Sequence, residues 1–238
     1  MSSKQSRLDL LIDVFELEGQ PARVLSKIKP PQLVEAIVQE FRELEILDGD
    51  PSGYYLVRTN DQTPLDDEAE MGRQRLSPGA RLILREREPP LPAGAQPFSR
   101  RIYLREQSAE KVFRLHWQPA IVGRSVDSQP HGDAPPDSAQ WVAVDLRAFP
   151  TGLRVSRRHL VISESDGQLT VENLAPNPAA IQRGAEQIAI EAGKVALHDG
   201  DLILLERSQL ALKVIIRNGQ ASSLEDAAGE ADEKVQET

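Results

Sequence analysis

The segment from about residue 100 to residue 218 alternates apolar and polar residues in many short runs, and this pattern restricts the fold more than any other feature. Gly, Asp, Asn and Pro separate the runs, which read RIYLREQ, KVFRLHW, AIVGR, WVAVDL, HLVISES, QLTVENL, QIAIEAG, KVALHDGDLILLE and LALKVIIRN. A two-residue period is typical of half-buried strands, and no helical period competes with it here. The pattern therefore predicts a β-sandwich for residues 100–218.

The segment before residue 88 combines strands with one helix. RLDLLIDVFEL has an alternating apolar face, and PARVLSKIKP follows the turn residues Gly19 and Gln20, so a hairpin is predicted. The helix is predicted to start at Pro30 and Pro31, because proline suits a first helical turn. Its apolar stripe must pack on a sheet and consists of Val34, Ile37, Val38, Phe41 and Leu44. GYYLVRTN and ARLILRE add further strands, and this element order predicts an α+β domain of the β-grasp type.

The segment TPLDDEAEMGRQRLSPGARLILRE resembles the second half of ubiquitin-like domains, and the resemblance covers about residues 7–87. Conjugation to other proteins is not expected, because the closing strand continues into REREPPLPAG and does not end in a free Gly-Gly tail. The region is similar in style to the small ubiquitin-like proteins of bacterial type VII secretion, which implies that it binds another protein. A β-grasp domain that serves only as a spacer is the open alternative.

Two further segments have a composition that does not support a packed core. Residues 88–99 are rich in Pro, Ala and Gly and predict a linker, whereas residues 219–238 are small and acidic and predict a disordered tail. The expected organisation is a ubiquitin-like β-grasp domain at 1–87, the linker at 88–99, the β-sandwich at 100–218 and the tail at 219–238.

Charge and composition exclude several classes of function. The formal net charge of −9 repels nucleic acid and anionic lipid at long range, so no nucleic-acid partner is expected. No apolar run reaches membrane-spanning length, and neither membrane insertion nor export is expected, which makes a cytoplasmic location the default. The chain has no cysteine, which excludes disulfides, thiolate zinc sites and thiol catalysis.

The polar residues form no recognisable catalytic or metal-binding pattern. The four histidines lack the spacing of a metal site, and neither a nucleophile elbow nor a Gly-rich phosphate loop is present. We therefore expect no enzymatic activity, no metal and no cofactor.

Positive charge is concentrated around the motif VSRRH in a chain that is otherwise acidic. Within WVAVDLRAFPTGLRVSRRH a single acid, Asp145, accompanies four cations, which are Arg147, Arg154, Arg157 and Arg158. A second motif, IVGRS, adds Arg124. A phosphate ester carries about two negative charges near neutral pH, and the guanidinium fork matches its oxygens in geometry. A hydroxyl such as that of Ser156 can complete such a cradle, so the pattern favours local capture of a phosphate group.

The motifs IVGRS, VSRRH, NLAPNP and HDGDLILL, in this order, resemble those of the forkhead-associated (FHA) domain, a β-sandwich that recognises phosphothreonine. The resemblance extends over about residues 100–217. It implies that Arg124 and Ser156 contact the phosphate, that Arg157 is a neighbouring basic contact and that Asn177 holds the main chain of the bound peptide. Gly123 and His159 are implied to support the binding loop. A threonine-phosphorylated protein or peptide is the partner that the resemblance implies.

The chain departs from the FHA pattern around Asn177. The family places Ser or Thr just before this asparagine and has an Asn-Gly-Thr segment, whereas Pro176 precedes Asn177 here and Ala179 and Ala180 follow Pro178. Residues 125–140 form a long segment between the motifs, which is expected to be an inserted loop. The departures leave an alternative open, in which the sandwich and the ubiquitin-like domain form a phosphate-independent scaffold, for example around a secretion machine.

Overall fold

The computed structural model describes residues 6–125, 142–191 and 193–218, and the chain divides into two compact units, Met1–Pro89 and Pro90–Thr238. The predicted long loop at 125–140 and the predicted acidic tail lie almost entirely outside the described residues. Both units are built mainly from strands, which confirms the predicted fold class of a β-grasp domain followed by a β-sandwich.

The first unit is a four-stranded sheet with one helix. Its elements are β1 (Arg7–Val14), β2 (Leu17–Leu25), α1 (Pro30–Glu40), β3 (Tyr54–Arg58) and β4 (Arg81–Glu86). The strand order is β2-β1-β4-β3, in which β1 and β4 are parallel and the other neighbours are antiparallel. Two hairpin-like pairs joined by a parallel central pair with a helical crossover are the β-grasp arrangement, as the sequence predicts.

The helix α1 packs against one face of this sheet. The helix buries Leu33, Val34, Ile37 and Val38. These four residues share one core with Leu10, Ile12 and Val14 of β1. The helix ends at Glu40, so Phe41 and Leu44 of the predicted stripe lie beyond it, where turns place them partly buried against the same core. The apolar residues of β1 and α1 that the sequence pattern marks therefore share one core.

The second unit is a sandwich of two sheets. Its strands are β5 (Arg101–Glu106), β6 (Val112–Leu115), β7 (Ala120–Gly123), β8 (Val142–Asp145), β9 (Leu160–Ser165), β10 (Gln168–Asn173), β11 (Ala179–Arg183), β12 (Glu186–Ala189), β13 (Lys194–Ala196), β14 (Leu202–Leu205) and β15 (Leu210–Arg217). One sheet has the order β13-β10-β9-β7-β8 and the other β12-β11-β14-β15-β5-β6. All neighbouring pairs are antiparallel except β7 and β8, which are parallel.

Two segments that are not among the predicted strands contribute to the sandwich. Strand β11 begins within the segment NPAAI, which is not among the strands predicted from the sequence, and it buries Ala179, Ala180 and Ile181. Phe98, within the predicted linker, is 3% exposed and belongs to the sandwich core. Ser99 is also anchored there, because its backbone amide donates to the Glu164 carboxylate over 2.7 Å. Phe98 and Ser99, at the end of the predicted linker, therefore belong to the sandwich unit.

Strand register brings several loops to one end of the sandwich. Leu160 at the start of β9 pairs with both Val122 near the end of β7 and Asn173 at the end of β10. In the other sheet Ala179 at the start of β11 pairs with Leu205 at the end of β14. The loops that follow β7, precede β9 and join β10 to β11 consequently meet at the same edge.

Within the described parts of the chain, no helix is long and apolar enough to span a membrane.

Candidate functional site

The candidate site lies at this end of the sandwich and is built from three loops. The first follows β7 and carries Arg124, the second joins β8 to β9 and carries Ser156 and Arg157, and the third joins β10 to β11 and carries Asn177. Residues that are far apart in the sequence are therefore neighbours here.

Arg124 is held against the loop that precedes β9 by two contacts. Its backbone amide donates to the carbonyl oxygen of Ser156 over 3.2 Å, and its side-chain Nε donates to the carbonyl oxygen of Val155 over 2.8 Å. A guanidinium has five N–H donors, of which Nε supplies one. Among the described residues neither terminal nitrogen of Arg124 has a hydrogen-bond partner or a carboxylate within 4.0 Å, so no described residue competes with a ligand for these donors.

Gly123 allows the loop to come this close. A Cβ atom at this position would overlap the carbonyl oxygen of Arg157 and would lie 3.0 Å from that of Ser156. The contact is maintained by the backbone amide of His159, which donates to the carbonyl oxygen of Val122 over 2.9 Å. Glycine is required here because of this close approach between two main chains.

His159 supports the third loop through a contact of its buried ring with the main chain of Asn177. Its ring is buried, with 1% exposure, and its Nε2 lies 3.3 Å from the carbonyl oxygen of Asn177. Burial lowers the pKa of His159, and the Asn177 carbonyl opposes this shift only in part. The ring is thus neutral at pH 7, and because a carbonyl can only accept, Nε2 carries the proton and donates it.

The Ser156 hydroxyl and the Asn177 side chain are directly bonded. Asn177 Nδ2 donates to Ser156 Oγ over 3.1 Å, so the hydroxyl accepts within the protein and keeps its own proton for an outside acceptor. Asn173 holds the loop in place, because its Nδ2 donates to the Asn177 carbonyl oxygen over 2.9 Å and its Oδ1 accepts from the amide of Ala175 over 3.1 Å.

The side chains around the Arg124 guanidinium and the Ser156 hydroxyl carry a net positive charge. Arg157 and Arg158 are exposed, and no described carboxylate lies within 4.0 Å of either guanidinium. The nearby acid, Asp145, accepts from the backbone amides of Ser125 and Arg147 over 2.9 and 3.0 Å. Burial raises the pKa of Asp145, but the hydrogen bonds from Ser125 and Arg147 outweigh it and the net pKa is lowered. Asp145 is therefore ionised but is engaged with main-chain amides.

The structure brings five of the six residues singled out from the sequence into one connected group: Gly123, Arg124, Ser156, His159 and Asn177. Arg157 lies at the exposed rim, next to Ser156. Asn173, which holds the third loop, and Asp145, which accepts from main-chain amides, were not predicted from the sequence. Both stand at strand ends, where short polar side chains often bond neighbouring amides. Pro176 and Pro178 are exposed, whereas Ala179 and Ala180 are buried in β11.

The described residues contain no group of three or more His, Asp or Glu side chains that could hold a metal ion.

Comparison with known proteins found several FHA domains of known structure. The chain is similar to the FHA domain of human APLF in complex with an XRCC1 bisphospho peptide, with 18% identity over 48% of this chain and 97% of that chain and a TM-score of 0.34. It is similar to the FHA domain of an Arabidopsis thaliana hypothetical protein, with 21% identity over 52% and 92% of the two chains and a TM-score of 0.35. For Mycobacterium tuberculosis EmbR in complex with a low affinity phosphopeptide, the identity is 21% over 55% of this chain and 27% of that one, with a TM-score of 0.36. Neither a family model nor a curated protein matches the chain.

Proposed function

We propose that the second unit binds a peptide that carries phosphothreonine, so that the protein acts as an adaptor for phosphorylated partners. In this proposal Arg124, Ser156 and Arg157 bind the phosphate, and Asn177 binds the main chain of the peptide. The observation that carries the proposal is the convergence of three loops on one point, where the terminal donors of Arg124 and the hydroxyl proton of Ser156 have no described partner.

The donor set matches a dianion better than a neutral ligand. Arg124 and Arg157 supply two charges that no described carboxylate within 4.0 Å neutralises, and the Ser156 hydroxyl supplies a third donor oriented by Asn177. Each charge-assisted hydrogen bond contributes roughly 1.5–3 kcal/mol. Together with main-chain contacts to the peptide, such bonds support an affinity on the order of micromolar.

Phosphothreonine, among phosphorylated residues, is favoured by the ordered resemblance of the motifs to FHA domains. Asn177 retains Oδ1 and one amide proton after its bond to Ser156, so it can still both accept from and donate to an extended peptide.

The direct test is a titration of the full chain with a phosphothreonine peptide library and with the same peptides unphosphorylated. We expect saturable binding of the phosphorylated set only, and a loss of at least about tenfold in Arg157→Ala, whose exposed side chain can be removed without disturbing the core. Arg124→Ala is the stronger variant, because it removes the central guanidinium.

Arg23→Ala is the matched control, since it removes an exposed arginine from the hairpin of the first unit. Binding in this variant should equal that of the wild type. Equal binding of the phosphorylated and unphosphorylated libraries by the wild-type chain would contradict the proposal.

A phosphate-independent scaffold is the second candidate function, and the burial of Ala179 and Ala180 in β11 favours it. Pro176 stands where the FHA pattern has a Ser or Thr, and Ala179 and Ala180 also lack a hydroxyl, so this side of the cradle has fewer donors than the FHA pattern provides. In this alternative the sandwich and the ubiquitin-like unit both serve protein assembly, including assembly around a secretion machine. Partners captured from cells by the full chain would then stay bound after phosphatase treatment, whereas partners of a phosphopeptide reader would be lost.

A further inference from the structure

The first unit contains a cavity of about 340 Å³ that is rich in arginine. It lies between the end of β3 with its following turn and the segment that leads into β4. Its polar lining consists of Arg58, Thr59, Asn60, Arg75, Ser77 and Arg81. No acidic residue lines it, although the chain as a whole has a net charge of −9.

Arg81 is already neutralised by the protein. Its Nε donates to both carboxylate oxygens of Asp13 at 2.9 and 2.8 Å, and its Nη2 donates to Glu18 over 2.8 Å. These bonds raise the pKa of Arg81, and they tie it to the sheet as a structural cation. The charge available to a ligand must therefore come from the other two arginines.

Arg58 is only loosely compensated. Its Nη2 donates to the carbonyl oxygen of Gln74 over 2.8 Å, but its Nη1 is 3.7 Å from Asp61, which is too long for a hydrogen bond. Its Nε is buried and has no hydrogen-bond partner within the described structure. Asp61 itself caps the following turn by accepting from the amide of Thr63 over 3.0 Å. A half-buried guanidinium with unused donors is unusual in a folded protein.

Arg75 is exposed and has no carboxylate within 4.0 Å among the described residues. Its backbone has φ of 54°, a left-handed conformation that non-glycine residues rarely adopt. The neighbouring Gln74 is anchored to the core, because its buried amide donates to the carbonyl oxygens of Asp66 and Ala69 over 2.7 and 3.0 Å. The protein therefore holds an unfavourable backbone conformation at a residue that lines the cavity.

We propose that this cavity binds the phosphoryl group of a small phosphate monoester. Arg58 and Arg75 supply the positive charges, and the Ser77 hydroxyl and Asn60 amide supply further donors. Two arginines without full neutralisation match the charge of a phosphoryl dianion better than that of a single carboxylate. The volume is at the small end of ligand pockets, which suits a phosphoryl group with a few carbon atoms. Leu76 and Ala80 provide an apolar wall for such a carbon chain.

The site lies in the first unit and does not depend on phosphopeptide binding by the second. The phosphoryl group can come from a free metabolite or from a phosphorylated side chain of another protein. Both sources present the same chemistry to the arginines, so different probes are needed to separate them.

The test is a titration of the ¹⁵N-labelled full chain with inorganic phosphate in a phosphate-free buffer, followed by NMR through the backbone amides of Thr59, Ser77 and Ala80. These amides belong to the first unit, whereas Arg124 belongs to the second. We expect saturable shifts in the wild type and affinity weakened at least about tenfold in Arg75→Gln. Glutamine keeps Cβ and Cγ, so the backbone cost at φ of 54° stays similar.

Arg73→Gln is the matched control, because Arg73 is two residues away, has a side chain that is 78% exposed and does not line the cavity. Its phosphate affinity should equal that of the wild type. Absence of saturable shifts in the wild type, equal affinity in Arg75→Gln, or acetate binding as tight as phosphate would each overturn the proposal.

Two monoesters then separate the sources. Tighter binding of glycerol 3-phosphate than of an N-acetylated phosphoserine amide assigns the site to a metabolite, and the reverse order assigns it to a phosphorylated protein. Binding of both with the affinity of inorganic phosphate supports recognition of the phosphoryl group alone.

Discussion

Asn177 and Ser156 are separated by 21 positions in the chain, yet the Asn177 side-chain amide donates to the Ser156 hydroxyl oxygen over 3.1 Å. This bond joins the loop after β10 to the loop before β9. It also fixes the direction in which the hydroxyl proton can be donated. The loop that holds Asn177 and the loop that holds Ser156 therefore act as one surface.

Substitution Asn177→Ala should weaken phosphopeptide binding while leaving the fold intact. The substitution removes the bond to Ser156 Oγ, but the Asn177 carbonyl oxygen stays bonded to Asn173 and His159. We expect affinity for a phosphothreonine peptide to fall about tenfold, with a change of about 1 kcal/mol or less in the free energy of unfolding. Calorimetric titration and denaturant unfolding measure the two quantities, and Asn218→Ala at an exposed position is the control. Unchanged affinity would show that Asn177 does not orient the site.

Substitution Gly123→Ala should destabilise the second unit. The added Cβ would meet the carbonyl oxygens of Arg157 and Ser156, so either β7 or the loop before β9 must move. We expect a loss of about 1–3 kcal/mol, as for overpacking elsewhere. Gly49→Ala is the control, because no atom lies within 4 Å of its added Cβ. Equal unfolding midpoints for the two variants in a denaturant titration would contradict the expectation.

Asn173→Ala should affect stability and binding together. Asn173 makes two hydrogen bonds that hold the loop from Ala175 to Asn177, and their loss leaves the Ala175 amide without its acceptor. We expect a loss of about 1–3 kcal/mol in unfolding free energy and weaker phosphopeptide binding. Amide hydrogen exchange of residues 174–178 provides the local measurement. If exchange there matches that of the wild type, Asn173 does not hold the loop.

Stability of the second unit should decrease on mild acidification because of His116. Burial, followed by the charge of Arg114, lowers the pKa of His116 to about 4. An unfolded histidine takes up its proton near pH 6.5, so the contribution is complete above about pH 6.5 and is lost as the pH falls towards about 4. We expect a decrease of about 2 kcal/mol between about pH 7 and pH 5 from this residue.

Denaturant unfolding of the wild type and of His116→Gln at these two pH values provides the measurement. The variant should lose clearly less stability than the wild type, with the remaining loss including that from His159, whose pKa burial also lowers. The same pH dependence in both proteins would contradict the assignment to His116.

Strand β11 shows where local sequence information was insufficient. Ala179 and Ala180 are small residues after an Asn-Pro pair and give a weak strand signal, so this segment is not among the strands predicted from the sequence. They form a strand because β14 and β12 on either side supply hydrogen-bond partners. Phe98 is a similar case, since a Pro-rich flank concealed a residue that the sandwich core buries.

The local order of residues was enough to determine most strands of both units, the helix that starts at Pro30 and the concentration of arginines around Ser156. These features depend on periodicity and composition, which a short window of sequence contains. Only the tertiary structure decided that Arg124, Ser156 and Asn177 meet, and that Arg58 and Arg75 line one cavity while Arg81 is neutralised. Such convergence depends on strand register and on contacts between distant segments, which no local pattern specifies.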